Sequence, residues 1–149
     1  MRTQDTNPIS ACHAARLAAA LGLLCAAVAH AFDLTVTIQN ARSNEGTVRA
    51  ALYEAKTGWL RDGAPVQRRF TTPQSSGTVI VFHDLPAGRY AVSGFHDENG
   101  NEKLDTNAMG MNIEPIAFSR DARGRMGPPK FDDAAFDLTQ DMAITMALH

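Results

Sequence analysis

The chain has 149 residues, of which 44% are hydrophobic and 20% are charged, and its formal net charge is −2 at pH 7. After removal of the segment described next, about 118 residues remain, a length that suits one domain with its own core. The basic residues form no long run and are not interleaved with aromatic residues, which argues against a nucleic-acid partner.

The first 31 residues have the features of a cleaved secretory signal. Arg2 and Arg16 are their only basic residues. Leu17 to Val28 is an unbroken apolar run of about a dozen residues, too short to span a bilayer of ~30 Å as a helix. Ala29-His30-Ala31 supplies the small-x-small pattern at which signal peptidase cleaves. We therefore predict a signal at residues 1–31, a mature domain at residues 32–149, and a periplasmic or secreted protein.

Both cysteines, Cys12 and Cys25, fall inside the predicted signal. The mature domain is therefore predicted to have no disulfide and no cysteine metal site, so that its core alone must stabilise it. Without Arg2, Arg16 and Asp5, 12 basic and 15 acidic residues remain, a net charge of −3. The mature chain contains no second apolar segment long enough to cross a membrane.

Hydrophobic residues of the mature chain alternate with polar ones. From Phe32, the apolar Leu34, Val36 and Ile38 recur at every second position, which predicts a strand with one buried face. Similar patterns predict six more strands, at Thr47–Tyr53, Val66–Thr72, Thr78–Phe82, Arg89–His96, Ile113–Ser119 and Met142–Leu148. About seven short strands with Gly, Pro and Asn turns predict an all-β fold, a single antiparallel β-sandwich with one long loop region after the fifth strand.

A loop rich in oxygen-bearing side chains follows the fifth predicted strand. Asp97, Asn99, Asn101 and Asp105 recur at every second residue with one step of four, and Lys103 adds a backbone carbonyl. In a tightly turning loop, this spacing aims the oxygens at one point, as a hard cation such as calcium requires. The alternative is a polar turn in which Asn and Asp side chains bond their own backbone.

The loop departs from the full calcium signature at two positions. Glu102 stands where Gly normally takes the sharp turn, and Ala108 stands where a bidentate Glu normally completes the shell. Glu98 is a candidate for the missing carboxylate, as is Asp132 or Asp133 if the long loop folds over the site. A non-Gly residue held at positive φ costs on the order of 1 kcal/mol. We therefore expect a weak site, with Kd of about 10⁻⁴ to 10⁻³ M.

A basic loop before Phe131 is a second candidate site, for an anion or a partner. Its four positive side chains, with two glycines and two prolines nearby, could bind a carboxylate or a phosphate; they are Arg120, Arg123, Arg125 and Lys130. The alternative is a solvated loop whose arginines pair with neighbouring aspartates, Asp121, Asp132 or Asp133.

No catalytic constellation is found in the sequence. The serines lie in no nucleophile-elbow context, and the mature histidines, His83, His96 and His149, lack a zinc-type pairing. His96 beside Asp97 is a candidate general base, although a structural role at a strand end is favoured. We therefore expect a protein that is not an enzyme.

Three segments carry a family resemblance: Leu85-Pro-Ala-Gly-Arg-Tyr-Ala-Val, Phe95-His-Asp-Glu-Asn-Gly-Asn-Glu-Lys-Leu-Asp-Thr-Asn, and Phe118-Ser-Arg-Asp-Ala-Arg-Gly-Arg-Met-Gly-Pro-Pro-Lys-Phe. They resemble the bacterial domain of unknown function family 2141 over essentially the whole mature chain. The resemblance implies an exported sandwich, Ig-like or transthyretin-like, with no assigned activity. This sequence departs from the family's usual pattern at Glu102, commonly Gly, and at Glu114-Pro115-Ile116-Ala117.

The leading functional hypothesis is a small exported binding or structural module whose loop end is organised by weakly bound calcium. The alternative is a metal-free envelope interaction domain whose loops recognise a peptide or a glycan, and a hydrolase is the least favoured. The partner would be an envelope or extracellular molecule. Magnesium should bind less well than calcium because it demands tighter octahedral geometry.

Overall fold

The computed structural model describes residues 31–149, so that residues 1–30, with nearly all of the predicted signal and both cysteines, lie outside the described residues. Eight strands account for most of the regular structure: β1 (Ala31–Gln39), β2 (Thr47–Tyr53), β3 (Gln67–Thr71), β4 (Thr78–Pro86), β5 (Gly88–Asp97), β6 (Ile116–Phe118), β7 (Phe136–Leu138) and β8 (Met142–Ala147). The helical elements are 3₁₀ turns at Lys56–Gly58 and Ser119–Asp121 and one short α-helix, α1 (Phe131–Ala134). No helix among the described residues has the length and apolar character to span a membrane.

The strands form two sheets. One has the order β4-β1-β8, and the other has the order β3-β2-β5-β6, with β7 pairing with the start of β5. All strand pairs are antiparallel except β1 and β8, which run parallel with Leu34 opposite Met142. The predicted all-β sandwich is confirmed, with β3 at an edge as its polar sequence indicates. One strand, β7, was not predicted from the sequence, because three residues are too few to show a period.

The main core lies between the two sheets. Leu34, Val36 and Ile38 of β1 are completely buried, on the face that their alternation predicts. Tyr90 and Val92 of β5 face them from the other sheet and belong to the same apolar cluster. Each buried side chain of this kind contributes about 1.5–3 kcal/mol relative to an exposed one.

A second, smaller core covers part of the outer face of the larger sheet. Tyr53 follows the inward-facing Leu52 and therefore points to the opposite side of β2. Trp59 packs edge-on against Tyr53 and against Phe131, with ring centroids 5.1 Å and 5.8 Å apart. The indole N–H of Trp59 donates to the Pro129 carbonyl at 2.8 Å, which fastens the loop that precedes α1. This cluster leaves the end of the face near Asp97 open.

The long connection between β5 and β6 contains an ordered hairpin, which we call the methionine hairpin (residues 105–113). The Asn107 N–H donates to the Met111 carbonyl at 2.8 Å, and the Gly110 N–H donates to the Asn107 carbonyl at 2.9 Å. Gly110 has φ +76°, the left-handed conformation that closes three-residue hairpin loops. The Asn107 Oδ1 accepts the N–H groups of Met109 (2.9 Å) and Met111 (3.0 Å). The turn is thus held by one asparagine side chain.

Candidate functional site

The carboxylate of Asp97, at the end of β5, organises the loop that follows. It is fully buried. Its Oδ1 accepts the N–H groups of Gly100 (2.8 Å) and Asn101 (3.1 Å). Its Oδ2 accepts the Glu102 N–H and the Arg49 Nε–H, each at 2.9 Å. A single side chain therefore folds three successive backbone amides around itself.

Hydrogen bonds keep Asp97 ionised despite its burial. Burial is the largest single influence, and it raises the pKa of Asp97. The hydrogen bonds from the Glu102 N–H, from Arg49 and from the Gly100 N–H, together with the Arg49 charge, outweigh burial and lower the pKa below its ordinary value of 3.8. The carboxylate is therefore charged at neutral pH, and Arg49 neutralises much of that charge.

Glu102 adopts the conformation that a glycine normally takes at this position of such a loop. Its φ is +67°, as its place at position six of the loop pattern suggests. Its Oε1 lies 3.1 Å from Arg49 Nη2, so Arg49 bridges Asp97 and Glu102 while its guanidinium lies 5.4 Å from the centre of the Phe70 ring. The Glu102 side chain is mostly exposed, so this pair offsets little of the backbone strain.

Three of the predicted calcium ligands converge on one point of the loop. The Asn99 amide donates to Asp105 Oδ2 at 2.6 Å, and the Asn101 amide donates to both Asp105 oxygens at 3.0 and 2.9 Å. The Oδ1 atoms of Asn99 and Asn101 accept the N–H groups of Asn101 and Lys103 at 2.9 and 2.8 Å. Each of these oxygens keeps a second lone pair for another partner. The Lys103 backbone is thus tied into the same turn.

Glu114 is the functional candidate that the sequence analysis missed. It is almost completely buried, with 5% of its surface exposed. Its Oε1 accepts the Glu98 N–H at 2.9 Å and its Oε2 accepts the Asp105 N–H at 3.0 Å, so it joins the two ends of the loop. The sequence feature that could have indicated this role is a carboxylate inside an otherwise apolar segment. A carboxylate that is buried with such a segment needs hydrogen-bond partners.

Asp132 and Asp133 do not complete the loop as expected. Asp132 pairs with Lys56 at 2.5 Å and with Arg89 at 3.6 Å. Arg89 lies near the start of β5 and Asp97 at its end, eight residues or about 26 Å along an extended strand. Asp132, and Asp133 beside it in α1, therefore lie at the wrong end of the sheet. Glu114 takes the position near the loop that was predicted for them.

Glu98 and His96 surround the start of the loop. Glu98 pairs with Arg42 at 3.3 Å on the surface. His96 is fully buried, and its Nε2 lies 2.7 Å from the Glu45 carbonyl, so this nitrogen must carry the proton and donate. Its Nδ1 has no hydrogen-bond partner within residues 31–149. Complete burial suits an anchor for the β1–β2 turn better than a general base.

The four charges of the basic loop do not share a partner. Arg120 Nη1 donates to the Ala135 carbonyl at 3.1 Å, and Arg123 Nη2 lies 3.0–3.1 Å from the ring nitrogens of His149. Within the described part of the chain, none of the four forms an ion pair with a carboxylate, contrary to the alternative in which they pair with neighbouring aspartates. Asp121 instead accepts the Ala147 N–H at 3.0 Å.

A groove runs over the open outer face of the larger sheet. Its volume is about 870 Å³, and its floor includes Ser93, Phe95 and Phe118. The methionine hairpin forms one wall, and residues 122–129 of the basic loop form another. A smaller groove of about 420 Å³ around Arg49 adjoins it and shares Ser93, Phe95 and Leu104. The Asp97 loop, through Leu104, therefore contributes to both grooves.

The profile of a bacterial family described as "Uncharacterized protein conserved in bacteria (DUF2141)" matches residues 36–145. The chain belongs to this family. The match runs from β1 into β8 and includes the whole Asp97 loop, so the resemblance noted in the sequence is confirmed. No curated protein and no solved structure matches the DUF2141 chain.

The Asp97 loop of this DUF2141 domain offers mixed oxygen donors and no dense carboxylate cluster. Among residues 31–149, no three His, Cys, Asp or Glu side chains are close enough to hold a metal ion together. A cation in the loop would therefore depend on asparagine and carbonyl oxygens as well as carboxylates. Neighbouring oxygens around a calcium ion, at 2.3–2.6 Å from it in pentagonal-bipyramidal geometry, lie about 2.8 Å apart. The 2.6–3.0 Å contacts at Asp105 are instead made by the amide nitrogens of Asn99 and Asn101, so these two amides would have to rotate to present their oxygens to a cation.

Proposed function

We propose that this DUF2141 protein is a small binding module that takes Ca²⁺ in the loop from Asp97 to Asp105. The observation that carries the proposal is a local excess of negative charge. Asp105 and Glu114 are joined through the Asp105 N–H at 3.0 Å, and neither pairs with a cationic side chain in the described part of the chain. A hard divalent cation would neutralise both carboxylates with oxygen ligands.

The folded state of the loop also favours this function. Asp97 and Glu114 hold five backbone N–H groups of the loop, so little conformational freedom remains to be lost on binding. Such preorganisation improves affinity. Because Arg49 neutralises Asp97, the loop has fewer free negative charges than a high-affinity site, and we expect Kd of about 10⁻⁴ to 10⁻³ M.

The test is a calcium titration followed by thermal unfolding. At tenfold excess over Kd, binding to the folded state alone adds about 1.4 kcal/mol, a rise in Tm of several degrees for a domain of this size. We expect Asp105→Asn to lose this rise and the matched surface variant Asp62→Asn to keep it. Magnesium should raise Tm less. An equal rise in the wild type and in Asp105→Asn would refute the proposal.

A metal-free interaction domain is the second candidate, and the groove on the outer sheet face is the observation that favours it. A volume of about 870 Å³ falls within the range of ordinary ligand sites. If peptides or glycans bind to the protein with the same affinity in EDTA as in calcium, the result would favour the metal-free interaction domain over the calcium-binding module.

We also propose that the protein is exported, on the basis of the signal pattern in residues 1–31. The intact mass of protein recovered from the periplasm or the medium should correspond to a chain that begins at Phe32. A retained Met1 in that material would contradict export by cleavage.

A further inference from the structure

Three methionines of this domain are exposed around one groove. Methionine is ordinarily one of the most buried residue types, yet Met109, Met111 and Met126 expose 76%, 57% and 101% of their surface. All three line the groove of about 870 Å³ on the outer sheet face. Met146, by contrast, is fully buried in the core. None of the three exposed side chains belongs to either buried apolar cluster, so core packing does not account for them.

The positions of two of these methionines are fixed by the methionine hairpin. The Asn107 side chain accepts the N–H groups of both Met109 and Met111. The two thioethers are thus carried two residues apart on a closed turn. Met126 belongs to the basic loop that forms another wall of the same groove. Methionine side chains have three rotatable bonds and adapt readily to a shared partner.

The chemistry of the donors selects the ligand. Thioether sulfurs are soft and neutral, and they favour Cu(I) over the hard cations that oxygen ligands select. Arg123 also lines this groove, and its positive charge opposes a divalent ion more strongly than a monovalent one. We propose that Met109, Met111 and Met126 together bind a soft monovalent metal ion, Cu(I) or its analogue Ag(I). This site is separate from the calcium loop and does not rest on it.

The probe is silver nitrate in chloride-free buffer, added to the purified protein labelled with ¹³C at the methionine methyl groups. We expect the methyl signals of Met109, Met111 and Met126 to shift together, with one Kd and one ion per protein. The methyl signal of the buried Met146 serves as an internal control and should not move. Three methyl signals that titrate independently, with different affinities, would show separate adventitious contacts and overturn the proposal.

Substitution by leucine removes the sulfur while nearly conserving volume and apolar character. Because Met126 is fully exposed, Met126→Leu should fold normally, and it should weaken the silver response of Met109 and Met111 by at least about tenfold through loss of the chelate. An unchanged response would overturn the proposal. So would loss of silver binding in His149→Gln with Met126→Leu unaffected, which would place the ion on the imidazole. Asp105→Asn should bind silver normally, which separates this site from calcium binding.

Discussion

Replacing Asp97 by Asn tests whether one buried carboxylate holds the loop in its fold. Asn keeps one oxygen, which can still accept the N–H groups of Gly100 and Asn101. Its amide nitrogen would then face the Glu102 N–H and the Arg49 Nε–H, two donors that now lie 2.9 Å from Asp97 Oδ2. The opposite rotamer leaves the other two donors unpaired. In either orientation, the new amide nitrogen, which is itself a donor, therefore faces two N–H donors in a buried site.

The cost follows from the two lost hydrogen bonds. The charge-assisted bond from Arg49 contributes about 1.5–3 kcal/mol, and the unsatisfied Glu102 N–H costs about 1–3 kcal/mol. Arg49 keeps its pair with Glu102 at 3.1 Å and the loop can relax, so we expect a loss of about 3 kcal/mol. For a domain of this size, this corresponds to a fall in Tm of roughly 10 °C.

The assay is urea unfolding at pH 7 in EDTA, with Glu98→Gln as a control that removes the same charge from the same loop. Glu98 pairs with Arg42 at the surface, and its other oxygen lies 4.0 Å from His96 Nδ1, beyond hydrogen-bond distance. Its replacement should therefore cost less than about 1 kcal/mol. If Asp97→Asn is no less stable than Glu98→Gln, the carboxylate does not organise the loop.

Acidification should reduce the difference between the wild type and Asp97→Asn. The pKa of Asp97 in the folded state lies below 3.8. Its contribution to stability is therefore complete above the unfolded pKa of about 3.9 and is lost as pH falls through the folded pKa. The stability difference measured at pH 7 should narrow below about pH 3.9, and a constant difference down to pH 2 would contradict the assigned role.

Three further substitutions test other parts of the fold by urea unfolding. Glu102→Ala should be about 1 kcal/mol less stable than Glu102→Gly, because both lose the Arg49 pair and only alanine keeps a Cβ at φ +67°; equal stability would refute strain at this position. Ser119→Ala should cost about 2–4 kcal/mol, because the buried Ser119 Oγ accepts the Val92 N–H at 2.9 Å and donates to the Ala134 carbonyl at 2.7 Å, whereas the exposed Ser75→Ala should be neutral. Gly46→Ala should cost about 2–4 kcal/mol, because the new Cβ would lie 2.2 Å from the Asp97 carbonyl oxygen. Gly110 has a similar positive φ, but no atom lies within 4 Å of the position of an added Cβ. Gly110→Ala should therefore cost only about 1 kcal/mol.

The sequence predicts the parts of this fold in which one face of a strand is buried. The core packs against only one face of β1, so apolar residues alternate with polar ones along this strand, at Leu34, Val36 and Ile38. This period of two can be read directly from the sequence. Neither β7 nor the methionine hairpin is long enough to show a period. The turn signals of the hairpin, Asn107 and Gly110, are local and do not by themselves specify a fold.

The candidate site could be predicted only where its residues are neighbours in sequence. The spacing from Asp97 to Asp105 indicates a shared turn, and Asn99, Asn101 and Asp105 do converge. The role of Glu114 depends on the path of the chain back toward the loop, which no local spacing encodes. The place of Asp132 depends on which end of β5 faces α1, and that is a property of topology.

The parallel pairing of β1 and β8 has a consequence for how the domain folds. The Asp33 N–H donates to Asp141 Oδ1 across 108 positions of sequence, and β1 lies in the middle of its sheet between β4 and β8. Closing so large a loop costs entropy before any contact compensates for it, and chains dominated by such distant contacts fold in milliseconds to seconds. During synthesis, the edge of β1 that pairs with β8 stays unpaired until nearly the whole domain has been translated. The slow step of folding should therefore be the arrival of β8 beside a strand made more than a hundred residues earlier.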